Sequence, residues 1–269
     1  MSDLIIPSCL LKLERAEKHL VDLELEIAAY CDSHPYTVRV GIEGKRKVHR
    51  LCFTSQIDRR VYLVASDFLY NIRSALDHLA CSLVPKSQGS HVGFPIFWQG
   101  VWDPAKPGEN QQRLDDRERW TTYTRFMHPD AVAILKRLQP RDGARDTDPD
   151  MHYLSILNRL SNIDRHRDLA VYSTGLKEFT FTFGTPPHQT CWSPPVADIN
   201  MVLRDGAKIE VPKGEVNVEV KGRPIVAVRV TQPKGEIIIP AHFRAAFPKY
   251  REQIILPLLN FVSPGPKGK

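Results

Sequence analysis

The stretch that decides the fold lies between Val64 and Leu83 and reads VASDFLYNIRSALDHLACSL. At about 100° per residue, its apolar side chains recur at the three-and-four spacing of a helix face that packs into a core. We predict a helix from about Ile57 to Val84, because the residue before Pro85 is disfavoured in the helical conformation. The apolar face comprises Val64, Phe68, Ile72, Ala75, Leu76, Leu79 and Leu83.

The opposite face of this helix is polar but poor in the Lys and Glu that a solvated face usually carries. Its residues are middling helix formers with a large capacity for hydrogen bonds. Such a local inconsistency tends to occur at functional sites. The face carries Asp67, Asn71, Ser74 and His78, and it continues through Tyr70, Asp77 and Arg73.

Arg73 and His78 are the two side chains of this face with the chemistry for cleaving RNA. RNA carries its own nucleophile, the 2′-OH, so a protein catalyst has to move protons and stabilise phosphate charge. An imidazole, with an ordinary pKa near 6.5, exchanges protons at neutral pH, and a guanidinium matches phosphate oxygens. We therefore interpret His78 as the general acid/base and Arg73 as the phosphate stabiliser, with Asp77 or Asn71 orienting the imidazole.

The segment Arg73-Ser74-Ala75-Leu76-Asp77-His78 resembles the signature of the HEPN superfamily, an arginine and a polar residue followed by a histidine. The resemblance implies a helical bundle, a homodimer in which two motifs share a cleft, and metal-independent cleavage of RNA. It also implies a toxin or defence role. On an ideal helix the two side chains lie about 140° apart, so the length of arginine or a second protomer has to close the gap.

A closer resemblance covers most of residues 1–172. The segments LYNIRSALDHLA at 69–80 and LSNIDRHR at 160–167 look like those of a group of bacterial proteins of unknown function. This likeness implies that both segments belong to one site, with the second facing Asp77 and His78. An alternative is that the basic residues there only complement the dipole of a helix end. The candidate supporting residues of the second segment are Asn162, Asp164, His166 and Arg167.

Two other functions are compatible with the same residues. A metal-dependent hydrolase could use Asp77, His78, Asp164 and His166. Neighbours such as Asp77 and His78 point about 100° apart on a helix, however, and no HExxH-like spacing is present. We therefore expect no metal and no other cofactor. The other alternative is a non-catalytic helical interaction module with a structural polar network.

Together the patterns predict an α+β protein. A helical bundle at 1–172, with a β-hairpin at about 36–53 and an irregular excursion at 85–127, is followed by an antiparallel sheet at 173–240. A C-terminal helix at 241–262 packs back on the bundle, and residues 263–269 form a disordered tail. Helices are also predicted from about Ser8 to Tyr30, with Ser8 as the cap, and from a cap at Asp150 to about His166.

Composition places the chain among ordinary globular proteins, with 42% apolar and 25% charged residues. No apolar run approaches the roughly 18–20 residues of a membrane helix, and the opening MSDLIIP is unlike a signal peptide. Five scattered cysteines without CxxC spacing fit a reducing cytoplasm. A net charge of +6, dispersed along the chain, permits RNA as a partner.

Overall fold

A computed structural model describes residues 7–44, 46–97, 101–103, 108, 110–140, 151–166, 169, 171–193, 202–209, 211, 217–231 and 234–262. The fold is α+β, as predicted. The chain divides into two compact units. The helical unit comprises Met1–Asp22, Val64–Leu169 and Ala241–Lys269, and the sheet unit comprises Leu23–Leu63 and Ala170–Pro240. The predicted tail at 263–269 lies outside the described residues.

Two long helices, α1 and α2, contribute to both units. The bounds of the helices are α1 Ser8–Asp32, α2 Arg59–Ser82, a 3₁₀ helix Lys86–His91, α3 Gln111–Thr124, α4 Pro129–Leu138, α5 Tyr153–His166, α6 Ala241–Pro248, a π-helix Lys249–Ile255 and α7 Leu256–Leu259. None of the helices in the described part of the chain combines the length and apolar character needed to cross a bilayer.

The predicted apolar face of α2 lies in the core of the helical unit. Five of its side chains are at most 1% exposed. Burying each of the four larger ones stabilises the fold by roughly 1.5–3 kcal/mol, and Ala75 contributes less. Phe68 stacks on Phe243 of α6 with ring centroids 4.7 Å apart. The C-terminal segment thus packs on α2 within this unit. The five side chains are Phe68, Ile72, Ala75, Leu76 and Leu79.

The prediction of an irregular segment at 85–127 is wrong for α3. The helix was not predicted because it lacks an apolar stripe, and only Trp120 and Thr124 are buried. Local hydrogen bonds compensate: Asn110 caps the helix by accepting from the Arg113 N–H at 2.9 Å. Two side-chain pairs one turn apart add to this, Gln111 with Asp115 and Gln112 with Asp116.

The C-terminal helical segment is continuous along the chain but changes its hydrogen-bond pattern. Pro248 closes α6 and has no N–H to donate, and the wider π turn begins at the next residue. The π-helix carries Tyr250, whose hydroxyl donates to the Tyr153 carbonyl at 3.1 Å. This bond fixes the π-helix on α5.

The sheet unit contains two antiparallel sheets with one shared apolar core. Its strands are β1 Tyr36–Glu43, β2 Arg46–Phe53, β3 Val171–Thr185, β4 His188–Trp192, β5 Leu203–Arg204, β6 Lys208–Ile209, β7 Val218–Thr231 and β8 Lys234–Ile238. One sheet has the order β1-β2-β6; the other has β4-β3-β7-β8, with β5 also pairing with β3.

The division between the units differs from the expected boundary near residue 172. The hairpin β1–β2 belongs to the sheet unit, since His49 and Arg50 of β2 pair with Ile209 and Lys208 of β6. Local patterning cannot reveal a pairing across so many residues, because it depends on tertiary register.

A tyrosine and a glycine hold β1 against β7. The Tyr36 hydroxyl donates to the Gly222 carbonyl at 2.7 Å and accepts from its N–H at 2.9 Å. A Cβ at Gly222 would lie 2.8 Å from the Cβ of Phe179, so only glycine fits beside Phe179 without a shift.

Candidate functional site

His78 lies half-buried on α2, where two clefts of the helical unit adjoin. Its Nδ1 lies 3.0 Å from the hydroxyl of Ser8. Ser8 is therefore not the helix cap that the sequence suggests; the first bonds of α1 go to the Pro7 carbonyl. Among the described residues nothing hydrogen-bonds to Nε2 of His78, so this nitrogen remains available to a ligand.

The first cleft, which we name the cationic cleft, has a volume of about 530 Å³. Arg15 donates from Nε to Nε2 of His19 at 3.2 Å, and the Lys12 ammonium lies 5.3 Å from the centroid of the Tyr70 ring. The cleft thus gathers two permanent cations and two imidazoles. It is lined by Ser8, Leu11, Lys12, Arg15, His19, Asp67, Tyr70, Asn71 and His78.

Of the predicted residues, Asp67 and Asn71 share this cleft with His78. Asp67 is exposed, whereas Asn71 is 7% exposed and donates from Nδ2 to the Asp67 carbonyl at 2.8 Å. The Asn71 amide is therefore directed along its own helix and does not orient the imidazole.

The second cleft, the apolar cleft, has a volume of about 910 Å³. The rings of His128 and Phe261 stack at 5.3 Å along its wall. Cys81 also lines it, but burial, together with the Asp77 carboxylate, raises the pKa of its thiol. The thiol keeps its proton and donates it to the carbonyls of Gly89 and Val92. Because the thiolate is the nucleophilic form, Cys81 is a poor nucleophile.

Arg73 does not share a cleft with His78. Its Nε and Nη2 lie 3.3 and 3.2 Å from the two carboxylate oxygens of Asp77, and Nη2 also donates to the Phe94 carbonyl at 3.1 Å. Asp77 in turn accepts from the Phe94 N–H at 2.8 Å. The pair, 18% and 33% exposed, clamps both backbone groups of Phe94. Asp77 therefore orients Arg73 and not the imidazole.

A third cleft, the arginine cleft, has a volume of about 410 Å³ and lies entirely within the helical unit. It is lined by Arg73, Phe94, Ile96, Phe97, Gln112, Asp116, Arg119, Tyr123, Asn158, Asn162 and Arg165. Ser74, the neighbour of Arg73 on α2, is half-buried and lines none of the three clefts.

The second motif segment meets α2 on the side of Arg73. Asn162 lines the arginine cleft together with Arg73, and Asp164 accepts a hydrogen bond from the Ser66 hydroxyl. His166 is exposed and lines none of the three clefts. Arg167 lies outside the described residues. The two motif segments thus approach one another, but at Arg73 and Ser66 instead of at His78.

A metal site would require carboxylates and imidazoles to converge. Asp77 pairs with Arg73, and Asp164 accepts from Ser66, so both carboxylates have other partners. In the described part of the chain, no group of three His, Cys, Asp or Glu side chains is placed to hold an ion. The metal-dependent alternative gains no support from these residues.

Buried titratable groups lie around α5 and the π-helix, away from the three clefts. Burial, reinforced by the Lys249 ammonium, lowers the pKa of His152 to about 4. Burial also raises the pKa of the Tyr153 and Tyr250 hydroxyls. These groups therefore stay neutral at physiological pH and act as structural hydrogen-bonding groups.

Sequence reasoning missed four residues that line the cleft of His78. Ser8, Lys12, Arg15 and His19 follow one another at spacings of four, three and four along α1. That spacing puts them on one face of a helix. This spacing was visible in the sequence, but only the fold shows that this face of α1 lies next to α2.

The chain matches no protein-family model, no curated protein and no solved structure. The resemblance to HEPN proteins therefore remains a prediction carried by the quoted segments alone.

Proposed function

We propose that the protein is a metal-independent endoribonuclease of the HEPN type in which His78 is the general acid/base. One observation carries the proposal: the imidazole is anchored through Nδ1 by Ser8 while Nε2 remains available beside a cleft with two cations. Fixing one ring nitrogen sets the orientation of the other, which is what positioned proton transfer requires.

RNA and the protein together would supply every group that the reaction needs. A base removes the proton of the 2′-OH, and the 2′-oxygen attacks the adjacent phosphorus. The bond from phosphorus to the 5′-oxygen breaks, and that oxygen takes a proton from an acid. The products are a 2′,3′-cyclic phosphate and a 5′-OH. His78 and His19, which line the same cleft, would provide two proton-transfer groups.

Lys12 and Arg15 replace Arg73 in the role of phosphate stabiliser within one chain. Both line the cleft of His78, whereas Nε and Nη2 of Arg73 are held by Asp77 and Phe94. The HEPN resemblance also implies a homodimer, in which Arg73 of one chain would serve His78 of the other. This dimeric arrangement predicts that Arg73→Ala is inactive alone and that mixing it with His78→Ala chains restores cleavage. Phosphate stabilisation by Lys12 and Arg15 predicts instead that Arg73→Ala cleaves RNA on its own.

The proposal is tested by incubating the protein with single-stranded RNA in EDTA. We expect cleavage that leaves 2′,3′-cyclic phosphate ends, loss of that cleavage in His78→Ala, and retention in His188→Ala, a matched substitution of an exposed histidine of the sheet unit. Cleavage that EDTA abolishes, or an active His78→Ala, would refute the proposal.

A second candidate function, a non-catalytic interaction module, is favoured by one observation. Arg73 and Asp77 hydrogen-bond to each other and to both backbone groups of Phe94. The arginine of the HEPN-like motif therefore already has a structural role. This candidate predicts no cleavage of any RNA by a fully folded chain.

The odd number of cysteines suits a reducing compartment, and we therefore propose that the protein acts in the cytoplasm. A toxin or defence role would follow from the HEPN resemblance. The RNA-cleavage assay described above tests this role as well.

A further inference from the structure

We propose that the arginine cleft is a binding site for a small phosphate monoester, separate from the cleft of His78 and independent of ribonuclease activity. Three guanidinium groups line it, those of Arg73, Arg119 and Arg165. Arginines concentrated around one concave volume of about 410 Å³ are a common means of holding an anion.

The charge of the cleft is positive after its carboxylates are counted. Asp116 is the one acidic side chain among the described residues of the lining, and its Oδ1 lies 3.9 Å from Nη1 of Arg119 in a loose contact. Asp77 neutralises Arg73 from behind. Three positive and two negative charges give a net charge of +1. The side chains of Arg119, 63% exposed, and Arg165, also exposed, can turn toward a ligand.

One donor of the cleft lacks an acceptor. Nη1 of Arg73 is buried and has no hydrogen-bond partner within the described residues. A buried charged N–H group without an acceptor destabilises the fold, and such groups are rare in native proteins. An anion bound at Arg73 would supply the acceptor that Nη1 lacks among the described residues.

The wall behind the arginines is rigid. Gln139 is fully buried, accepts from the Phe97 N–H at 2.8 Å and donates to the Pro95 carbonyl at 3.0 Å. The Arg73–Asp77 clamp fixes the Phe94 backbone at the other end. Residues 94–97 are therefore held before any ligand arrives, which lowers the entropic cost of binding.

The donors favour phosphate over carboxylate. Besides the three guanidinium groups, the amides of Asn158 and Asn162 line the cleft. A carboxylate offers two oxygens, whereas a phosphate monoester offers three terminal oxygens to such a set of donors. The apolar side chains of Ile96 and Phe97 and the ring of Tyr123 line the rest, so there is a surface for the organic group of an ester.

This assignment also accounts for the second motif segment. Asn158, Asn162 and Arg165 come from α5, and Arg73 comes from the first motif. The two segments thus converge on a cleft whose lining the ribonuclease proposal does not use within one chain.

Thermal unfolding and calorimetric titration with adenosine 5′-monophosphate test the inference, with adenosine, sulfate and inorganic phosphate as comparisons. We expect the monophosphate to raise Tm, inorganic phosphate and sulfate to raise it less, and adenosine to leave it unchanged. Arg119→Gln combined with Arg165→Gln should weaken binding at least about tenfold. Both side chains are exposed, so this variant should fold.

Two matched variants separate the outcomes. Arg251→Gln removes a positive charge from an exposed arginine outside the cleft and should bind normally. His78→Ala should also bind normally, so binding without ribonuclease activity would sink only the ribonuclease proposal. The inference is overturned if the monophosphate leaves Tm unchanged, if sulfate matches it, or if the Arg119/Arg165 variant binds as the wild type does.

Discussion

The two polar sides of α2 differ in how completely their side chains are bonded. On one side, Arg73 and Asp77 share their hydrogen bonds with each other and with the Phe94 backbone. On the other side, the imidazole of His78 has one hydrogen bond to the described residues, to Ser8, and lines two clefts. A mostly bonded network holds a fold in place, whereas a side chain anchored at one end can act on a ligand. Residues five positions apart on one helix can therefore serve different purposes.

The largest expected effect is a difference in the rate of RNA cleavage between substitutions on the two sides of α2. His78→Ala should slow RNA cleavage by about 10²–10⁴-fold, the usual contribution of general acid–base transfer. Arg73→Ala, compared per folded molecule, should lose much less, since Arg73 lies away from the cationic cleft. Single-turnover rates measured together with the folded fraction check this. Equal losses in the two variants would mean that the two sides form one site.

The next effect is a difference in the free energy of unfolding between substitutions on the two sides of α2. Asp77→Ala should lower the free energy of unfolding by about 2 kcal/mol, because it removes the carboxylate that pairs with the largely buried Arg73 guanidinium and leaves the Phe94 N–H without an acceptor. Asp67→Ala, a substitution of the exposed aspartate in the cationic cleft, should change it by less than about 0.5 kcal/mol. Urea denaturation provides both values, and a reversed order would break the comparison.

His152 should make the stability of the fold depend on pH, independently of any pH dependence of RNA cleavage. The pKa of His152 is lowered to about 4 in the fold, so below its unfolded pKa, near 6.5, the unfolded chain binds more protons. The stability contribution is full above about pH 6.5 and is lost as pH falls toward 4, amounting to about 2 kcal/mol after solvent screening.

Denaturation at several pH values checks the contribution of His152. His152→Gln should flatten the stability profile between about pH 4 and 6.5 and leave the pH–rate profile of the folded protein unchanged. If the rate profile follows the substitution at residue 152, the assignment of proton transfer to His78 loses its basis.

The smallest effect concerns RNA affinity. Lys12→Gln combined with Arg15→Gln should reduce the slope of log K against log salt by about 0.7 for each phosphate of single-stranded RNA that the protein no longer neutralises. Lys18→Gln combined with Lys249→Gln removes the same charge outside the cationic cleft and should leave the slope unchanged. Fluorescence anisotropy in a salt series measures both.

The fold class and the buried face of α2 were predictable because apolar periodicity reports directly on burial. α3 was not, since its stability comes from a cap and from side-chain pairs instead of an apolar stripe. The position of the β1–β2 hairpin could be predicted, but its partner strand β6 could not, because the two lie about 160 residues apart in the sequence.

The site was only half predictable for the same physical reason. The sequence pattern indicates that Arg73 and His78 leave α2 in different directions, but it does not say what lies there. The contacts to Phe94 and Ser8 connect residues 21 and 70 positions apart. Tertiary contacts alone decide that one side chain is bonded and the other open.

The most direct test of the account is an NMR titration with a 2′-deoxy-substituted RNA oligonucleotide that cannot be cleaved, observing the imidazole of His78 and the guanidinium Nε–H of Arg73 in one sample. We predict that the His78 ring signals shift with saturation while the Arg73 signal stays in place. A shift of Arg73 with an unperturbed His78 would contradict the account.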